Sequence, residues 1–168
     1  MSSIKNIVII LVGVSGSGKT TWTTNYIKTF KNTLRINRDS LRQMLVGNLD
    51  GYYKRNDLNT IETEITCAEI DIADNLVLNA YDIILDNTNL KPSHVDRWVN
   101  YFQKRNYNIE FKFFDIDLKQ AKDRIIIRDF LYKDSTNIED NVKYLDKQYL
   151  QYHNVKNHII NKYPNNII

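Results

Sequence analysis

The stretch Gly13-Val14-Ser15-Gly16-Ser17-Gly18-Lys19-Thr20 has the residue types and spacing to hold phosphate. Glycines at 13, 16 and 18 let the backbone curl with its N–H groups turned inward, forming an anion nest. A helix starting behind the loop adds the partial positive charge of its N-terminus. Lys19 can then reach the β- and γ-phosphates as a point charge, and the Thr20 hydroxyl suits Mg²⁺. Gly13, Ser15, Gly16, Ser17, Gly18, Lys19, Thr20 and Thr21 are therefore expected to line a nucleoside-triphosphate site, with ATP and Mg²⁺ as its occupants. Such a loop identifies the phosphate donor and leaves the acceptor open.

Three other groups carry suitable chemistry: Asn37-Arg38-Asp39-Ser40-Leu41-Arg42, Asp86-Asn87-Thr88-Asn89, and the pair Arg124 and Arg128. Phosphoryl transfer needs an acceptor oxygen in line with the γ-phosphate, a group to take its proton, and positive charge on the transferring group. Asp39 suits the base, and equally suits a helix cap. Asp86 follows an apolar run and resembles an acid that holds the Mg²⁺ shell; a strand-end carboxylate is the other reading. Arg124 and Arg128 share one helix face and could close over the phosphates, or pair in solvent with Asp123 or Asp129. His94, His153 and His158 have no partner at useful spacing. Trp22 is expected to pack beneath the phosphate loop, while Tyr52 and Tyr53 are expected as surface aromatics able to stack on a base.

The flanking elements decide whether these groups meet. Ile7-Val8-Ile9-Ile10-Leu11-Val12 is a continuous apolar run with β-branched residues, the mark of a strand buried on both faces. Thr20 to Phe30 can form a helix, Thr33 to Asn37 a second strand, and Asp39 or Ser40 can start a short helix. The stretch from Gly47 to Asn56 reads as irregular. Ile61, Ile65, Ala68, Ile72 and Leu76 predict a long helix over 57–80, with Glu62, Glu69 and Asp74 on its other faces. Asp82 to Asp86 reads as a third strand, and Pro92 opens a helix with the stripe Val95, Trp98, Val99 and Phe102. Tyr107 to Asp115 alternates as a fourth strand; Asp117 can cap a helix to about Leu131. Asp134 to Asn137 is a break, Ile138 to Tyr152 a last helix, and the tail from Asn154 has too little pattern to predict firm packing. Alternating strands and helices imply a parallel sheet with ligands beyond its carboxyl ends, so the three groups should converge in one cleft.

Composition narrows the class. At 168 residues and 42% hydrophobic, the chain can bury a good-sized core. Cys67 alone gives no intramolecular disulfide and no zinc cluster; it reads as a small buried hydrophobe. The run at 7–12 lacks a cleavage site, and no segment is long enough to span a bilayer, so a soluble, cytoplasmic protein is expected. Net charge is only +3, but Lys28, Lys31, Arg35, Arg38 and Arg42 face a single acid, Asp39, over 28–42. Lys119, Lys122, Arg124, Arg128 and Lys133 form a second basic group. Two such groups in a phosphate-handling protein suit a polyanionic substrate; the other reading, preferred for the lysines, is of solvated helix-face charges, with Asp123 and Asp129 beside the second group.

Taken together, Gly13–Trp22, Ile36-Asn37-Arg38-Asp39 with Arg42-Gln43, Asn87-Thr88-Asn89-Leu90 and Arg124 with Arg128 resemble the polynucleotide 5′-hydroxyl kinase family, across about residues 5–150. The resemblance implies a P-loop kinase fold: α/β, a central mostly parallel sheet of about four to five strands, helices on both faces and a helical lid. It implies one domain over 1–168, with a core at about 5–152 and a tail at 153–168. Asp39 would be the general base on a nucleic acid 5′-hydroxyl, and Arg42 would clamp the 3′-phosphate of the terminal nucleotide. Arg38, Asn87 and Thr88 would complete the acceptor site. Arg128, assisted by Arg124, would contact the β/γ-phosphates, with Lys19 beside them, and Thr20 and Asp86 would serve the metal. Homo-oligomers are common in the family. Two departures stand out. Asn87 stands where the bacteriophage member of the family has an acidic residue, and here the acid precedes it, at Asp86, leaving open which residue performs the orienting role; no D-x-D-G-T phosphatase motif occurs, so no 3′-phosphatase activity is expected.

Three competing functions fit parts of the pattern. A small-molecule kinase needs no arginine at 42, whereas a 3′-phosphate does. A zeta-toxin-like kinase acting on a nucleotide sugar fits the fold. A nucleotide-dependent switch would not need Asp39 together with two lid arginines.

Overall fold

The computed structural model describes residues 5–47, 52, 55–132 and 138–168, with the side chains of 129–132 and 138 left aside. Strand β1 (Ile7–Val12) runs through the middle of a four-stranded sheet of order β2-β3-β1-β4, with β2 at Thr33–Ile36, β3 at Asp82–Leu85 and β4 at Asn108–Phe113. Every pairing is parallel, with Ile10 opposite Leu85 on one side and Phe111 on the other. A parallel strand needs a crossover before its neighbour, and helices supply it.

Both faces of β1 are apolar, and the two faces meet different layers. Val8, Ile10 and Val12 face the larger layer. It is built from α3 (Leu58–Leu78), α4 (Pro92–Gln103), α5 (Leu118–Tyr132) and α6 (Ile138–Lys162), with Ala73, Val95, Ala121 and Leu145 among its buried contacts. Ile9 and Leu11 face α1 (Lys19–Thr29), where Trp22, Tyr26 and Ile27 cover them together with Phe114. Helices thus lie on both faces, as the alternation of elements predicts. The α4 stripe is buried as expected at Val95, Trp98, Val99 and Phe102. Burial of each such side chain contributes about 1.5–3 kcal/mol. Among the described residues the sheet has four strands.

Several local expectations are corrected. Helix α2 (Arg38–Val46) is capped by neither Asp39 nor Ser40: the Asn37 side chain accepts from the Ser40 backbone N–H at 2.8 Å. That leaves the Asp39 carboxylate exposed, at 70%. Tyr52 is buried, 1% exposed, because its hydroxyl donates to Glu62 at 2.7 Å and its ring packs with Leu41 and Ile65. Cys67, expected inside, is exposed. Tyr53, most of the irregular stretch between Gly47 and Asn56, the break at 134–137 and Lys133 lie outside the described residues.

The largest difference is at the C-terminus. Helix α6 continues to Lys162 instead of ending near Tyr152, and the segment expected to pack loosely is part of the core. Val155 and Ile159 are fully buried, and the Ile168 backbone N–H donates to the Phe111 carbonyl at 3.0 Å. Tyr152, Val155 and Ile159, three and four positions apart, face inward, but polar residues interrupt the stripe and obscure its period. Three hydrogen bonds fix the outer side, where Asp96 of α4 accepts from His158, Lys162 and Tyr163. His158 therefore has the partner that spacing did not reveal.

Candidate active site

The phosphate loop closes β1 and opens α1. Gly13 is buried under Phe114, where a Cβ would stand 2.8 Å from Ser17 Oγ and 2.9 Å from Phe114 Cβ. Gly18 caps α1 with φ 98, a left-handed conformation that glycine adopts without strain. The Gly13 N–H donates to the Thr88 carbonyl at 3.2 Å, tying the loop to the end of β3. Asn89, itself at φ 49, donates to the Leu11 carbonyl at 2.7 Å, tying the same two strand ends.

Lys19 curls into its own loop. Its Nζ donates to the carbonyls of Val14 at 2.7 Å and Gly13 at 2.9 Å. Burial lowers its pKa to about 8, against the opposing pull of Asp86 and Asp39. The Ser15 N–H donates to Gln148 of α6 at 2.8 Å, a contact that nothing in the motif foretells. Thr21 is exposed in the first turn of α1.

Thr20 and Asp86, the pair expected to serve a metal, meet at the end of β3. Thr20 Oγ1 donates to Asp86 Oδ2 at 3.2 Å, and Arg35 Nε of β2 lies 2.7 Å from the same oxygen. Burial pushes the Asp86 carboxyl above its usual range, opposed by Arg35, Thr20 and Lys19. Its second oxygen, Oδ1, is buried without a hydrogen-bond partner. A buried orphan carboxylate oxygen beside a threonine hydroxyl is a donor set that would suit Mg²⁺, a hard cation that takes oxygen ligands. A left-handed glycine turn at the start of α1, a buried lysine and this pair fit a nucleoside triphosphate with its metal.

Next to the loop lies a cleft of about 410 Å³, whose walls include Asp39, Arg42, Asn87, Thr88 and Lys91. Asp39 and Arg42 meet here: Arg42 Nη1 donates to Asp39 Oδ1 at 2.6 Å. Behind them is an ionic network that sequence reasoning missed. Arg42 Nε donates to Glu62 at 2.7 Å, and Arg38 donates to Glu62 and to Glu69, at 2.8 Å in each case. Burial pulls the Glu62 carboxyl up, but hydrogen bonds from Arg42, Tyr52 and Arg38 outweigh it and hold the group at about 2. Glu69 is 1% exposed. The available signal was a pair of matching stripes, Glu62, Thr66 and Glu69 on α3 against Arg38 and Arg42 on α2.

Two of the residues expected in the acceptor site act as struts. Asn87 accepts from the Arg38 N–H at 2.9 Å and donates to Glu69 at 2.7 Å. The Arg38 guanidinium is spent on Glu62, Glu69 and Thr66. The side-chain amide of Asn37 donates to the Asp86 carbonyl, which locks the end of β2 to that of β3. On α5, Arg124 Nη1 donates to the Gly16 carbonyl at 3.2 Å, so this arginine does lie over the loop. Arg128 is exposed on the same helix.

Parallel sheet, glycine loop at a strand end, Thr20–Asp86 pair and an arginine-bearing helix over the loop define a P-loop kinase fold. The chain belongs to the AAA domain family, whose sequence profile matches residues 8–149. It is 30% identical over 157 residues to a protein of Autographa californica nuclear polyhedrosis virus described as a bifunctional polynucleotide kinase/RNA ligase, covering 89% of this chain and 21% of that one. It superposes with a TM-score of 0.77 on a chain of the Pnkp1/Rnl/Hen1 RNA repair complex, at 24% identity, covering 94% of this chain and 47% of that one. A structure of the PezAT chromosomal toxin–antitoxin system of Streptococcus pneumoniae shares the fold at a TM-score of 0.61 and 18% identity, covering 86% of this chain and 63% of that one. The chain therefore spans about a fifth of the viral relative's length and about half of the repair-complex chain. No described helix is long and apolar enough to cross a membrane.

Proposed function

We propose that the chain transfers the γ-phosphoryl group of ATP to the 5′-hydroxyl end of a nucleic acid strand. The observation that carries this is the Asp39–Arg42 pair, 2.6 Å apart in the cleft beside the phosphate loop. A carboxylate takes a proton, and a guanidinium next to it holds a phosphate. A 5′-hydroxyl acceptor bearing a 3′-phosphate presents both. The relative described as a polynucleotide kinase supports the same reading.

In this reading Asp39 accepts the hydroxyl proton as the acceptor oxygen bonds to the γ-phosphorus and the bond to the β–γ bridging oxygen breaks, releasing ADP. The loop N–H groups and Lys19 hold the phosphates, and Lys19 leaves the loop carbonyls to do so. Arg124 and Arg128 place positive charge over the transferring group. Thr20 and Asp86 would hold Mg²⁺, which supplies charge neutralisation at the β- and γ-phosphate oxygens.

The test is transfer of radiolabelled γ-phosphate, with Mg²⁺, to a 5′-hydroxyl oligonucleotide, a 3′-nucleoside monophosphate and a plain nucleoside. Labelling of the first two and not the third is expected. Labelling of none, with ATP bound, would overturn the reading in favour of another acceptor such as a nucleotide sugar.

A further inference from the structure

Lys91 is the N-cap of α4, and His94 and Arg97 follow at intervals of three, so all three lie along one side of the helix. All three are exposed and all three line the cleft that holds Asp39 and Arg42. The acids of that cleft are engaged elsewhere: Asp39 and Glu62 with Arg42, Glu62 and Glu69 with Arg38. Asp96, the acid of α4 itself, is held by His158, Lys162 and Tyr163. From α6 the cleft is lined by Tyr144, Gln148 and Gln151, all neutral. Among the described residues no carboxylate pairs with Lys91 or Arg97; the Arg97 guanidinium lies 5.5 Å over the Trp98 ring. Proton binding at His94 is disfavoured first by its partial burial and then by the positive charges of Arg97, Lys91 and Arg38.

Resting on the acceptor reading above, we infer that Lys91, His94 and Arg97 form an extension subsite for the next backbone phosphate of a nucleic acid strand. Arg42 serves the phosphate nearest the reacting hydroxyl; the α4 stripe serves the one that follows. Tyr144, 55% exposed and lining the same cleft, presents a ring on which a base can stack. A 3′-mononucleotide reaches Arg42 and stops there, so strands are preferred over mononucleotides.

The experiment compares kcat/KM for a 5′-hydroxyl pentanucleotide and a 3′-mononucleotide in the native protein and in Lys91→Ala/Arg97→Ala. The ratio of the two is expected to fall about ten-fold in the double variant. The log–log salt dependence of pentanucleotide use should flatten by about 0.7 for each phosphate that the variant no longer neutralises. Lys91→Arg is expected to retain the preference. An unchanged ratio and slope in the double variant, with its circular dichroism intact, would overturn the subsite. Should the native protein label neither acceptor, the reaction reading fails by itself. The subsite is then judged by anisotropy of a 3′-labelled pentanucleotide, where equal affinity for native and double variant overturns it and about ten-fold weaker binding upholds it.

Discussion

Glu62 accepts from Arg42 Nε at 2.7 Å and from Nη2 at 3.1 Å, so a carboxylate on α3 sets the plane of a guanidinium on α2. Arg42 in turn donates to Asp39 at 2.6 Å, so Glu62 on α3 and Asp39 on α2 both hold this guanidinium. Glu62 is held at about 2, far below its value of 4.5 in an unfolded chain. A depressed carboxylate contributes stability above its unfolded pKa and loses it as pH falls to the folded value. Glu62→Gln is therefore expected to lower stability by about 2 kcal/mol at pH 7, after discounting for its partial exposure. The gap from the native protein should close between about pH 4.5 and 2 in denaturant melts.

Asp39→Asn keeps the shape of the side chain and removes the carboxylate proposed as the base. A fall in kcat of about 10²–10⁴-fold is expected, with ATP still bound. A variant with native turnover would move the base elsewhere.

Arg42→Ala separates the clamp from the chemistry. It is expected to reduce kcat/KM for a 3′-nucleoside monophosphate by about ten- to a hundred-fold, the worth of one charged hydrogen-bonded contact. Preference over a plain nucleoside should vanish; its persistence would place the 3′-phosphate on another cation.

Lys19 makes nucleotide binding proton-linked. Burial lowers its pKa to about 8 in the folded protein, from 10.5. The unfolded chain holds more protons between those values, so stability should rise with pH from about 8 to about 10.5. Bound phosphates favour the charged amine. Near pH 8.5, titration calorimetry in buffers of different ionisation enthalpy should show uptake of about 0.7 proton, against about 0.1 at pH 7. Equal uptake at both values would contradict the assignment.

The buried end of α6 sets the last expectation. Deleting residues 153–168 removes Val155 and Ile159, both fully buried. The loss is expected to exceed about 3 kcal/mol and to show as a lower Tm. An unchanged Tm would mean that the segment packs loosely after all.

Much of this arrangement is legible in the sequence because single segments specify it. The apolar run at 7–12, the glycine spacing at 13–18 and the α4 stripe each encode a local conformation and its burial. The Glu62–Arg42 and Glu69–Arg38 pairs are not legible in that way, since each carboxylate lies 20 or more residues from its arginine and reads alone as one polar face of a helix. Tyr52 is buried because Glu62 meets its hydroxyl, a contact its neighbours in sequence do not announce. Gln148 against Ser15 spans 133 residues and follows from tertiary packing. Asn37, Asp39 and Ser40 are all polar side chains at one helix start, and backbone geometry assigns the cap to the first.

The strand order also constrains how the chain is made. β1 borders β3 and β4 and does not pair with β2, the strand that follows it in sequence. On a ribosome, the phosphate loop emerges early yet has no flanking strand until residues 82–85 leave the tunnel, and no second one until 108–113. The pairing of β2 with β3 becomes available at the same moment as that first flank, and at the edge of the sheet away from β4. The loop's own strand is therefore enclosed late, only after the segments 82–85 and 108–113 that pair with it have been made.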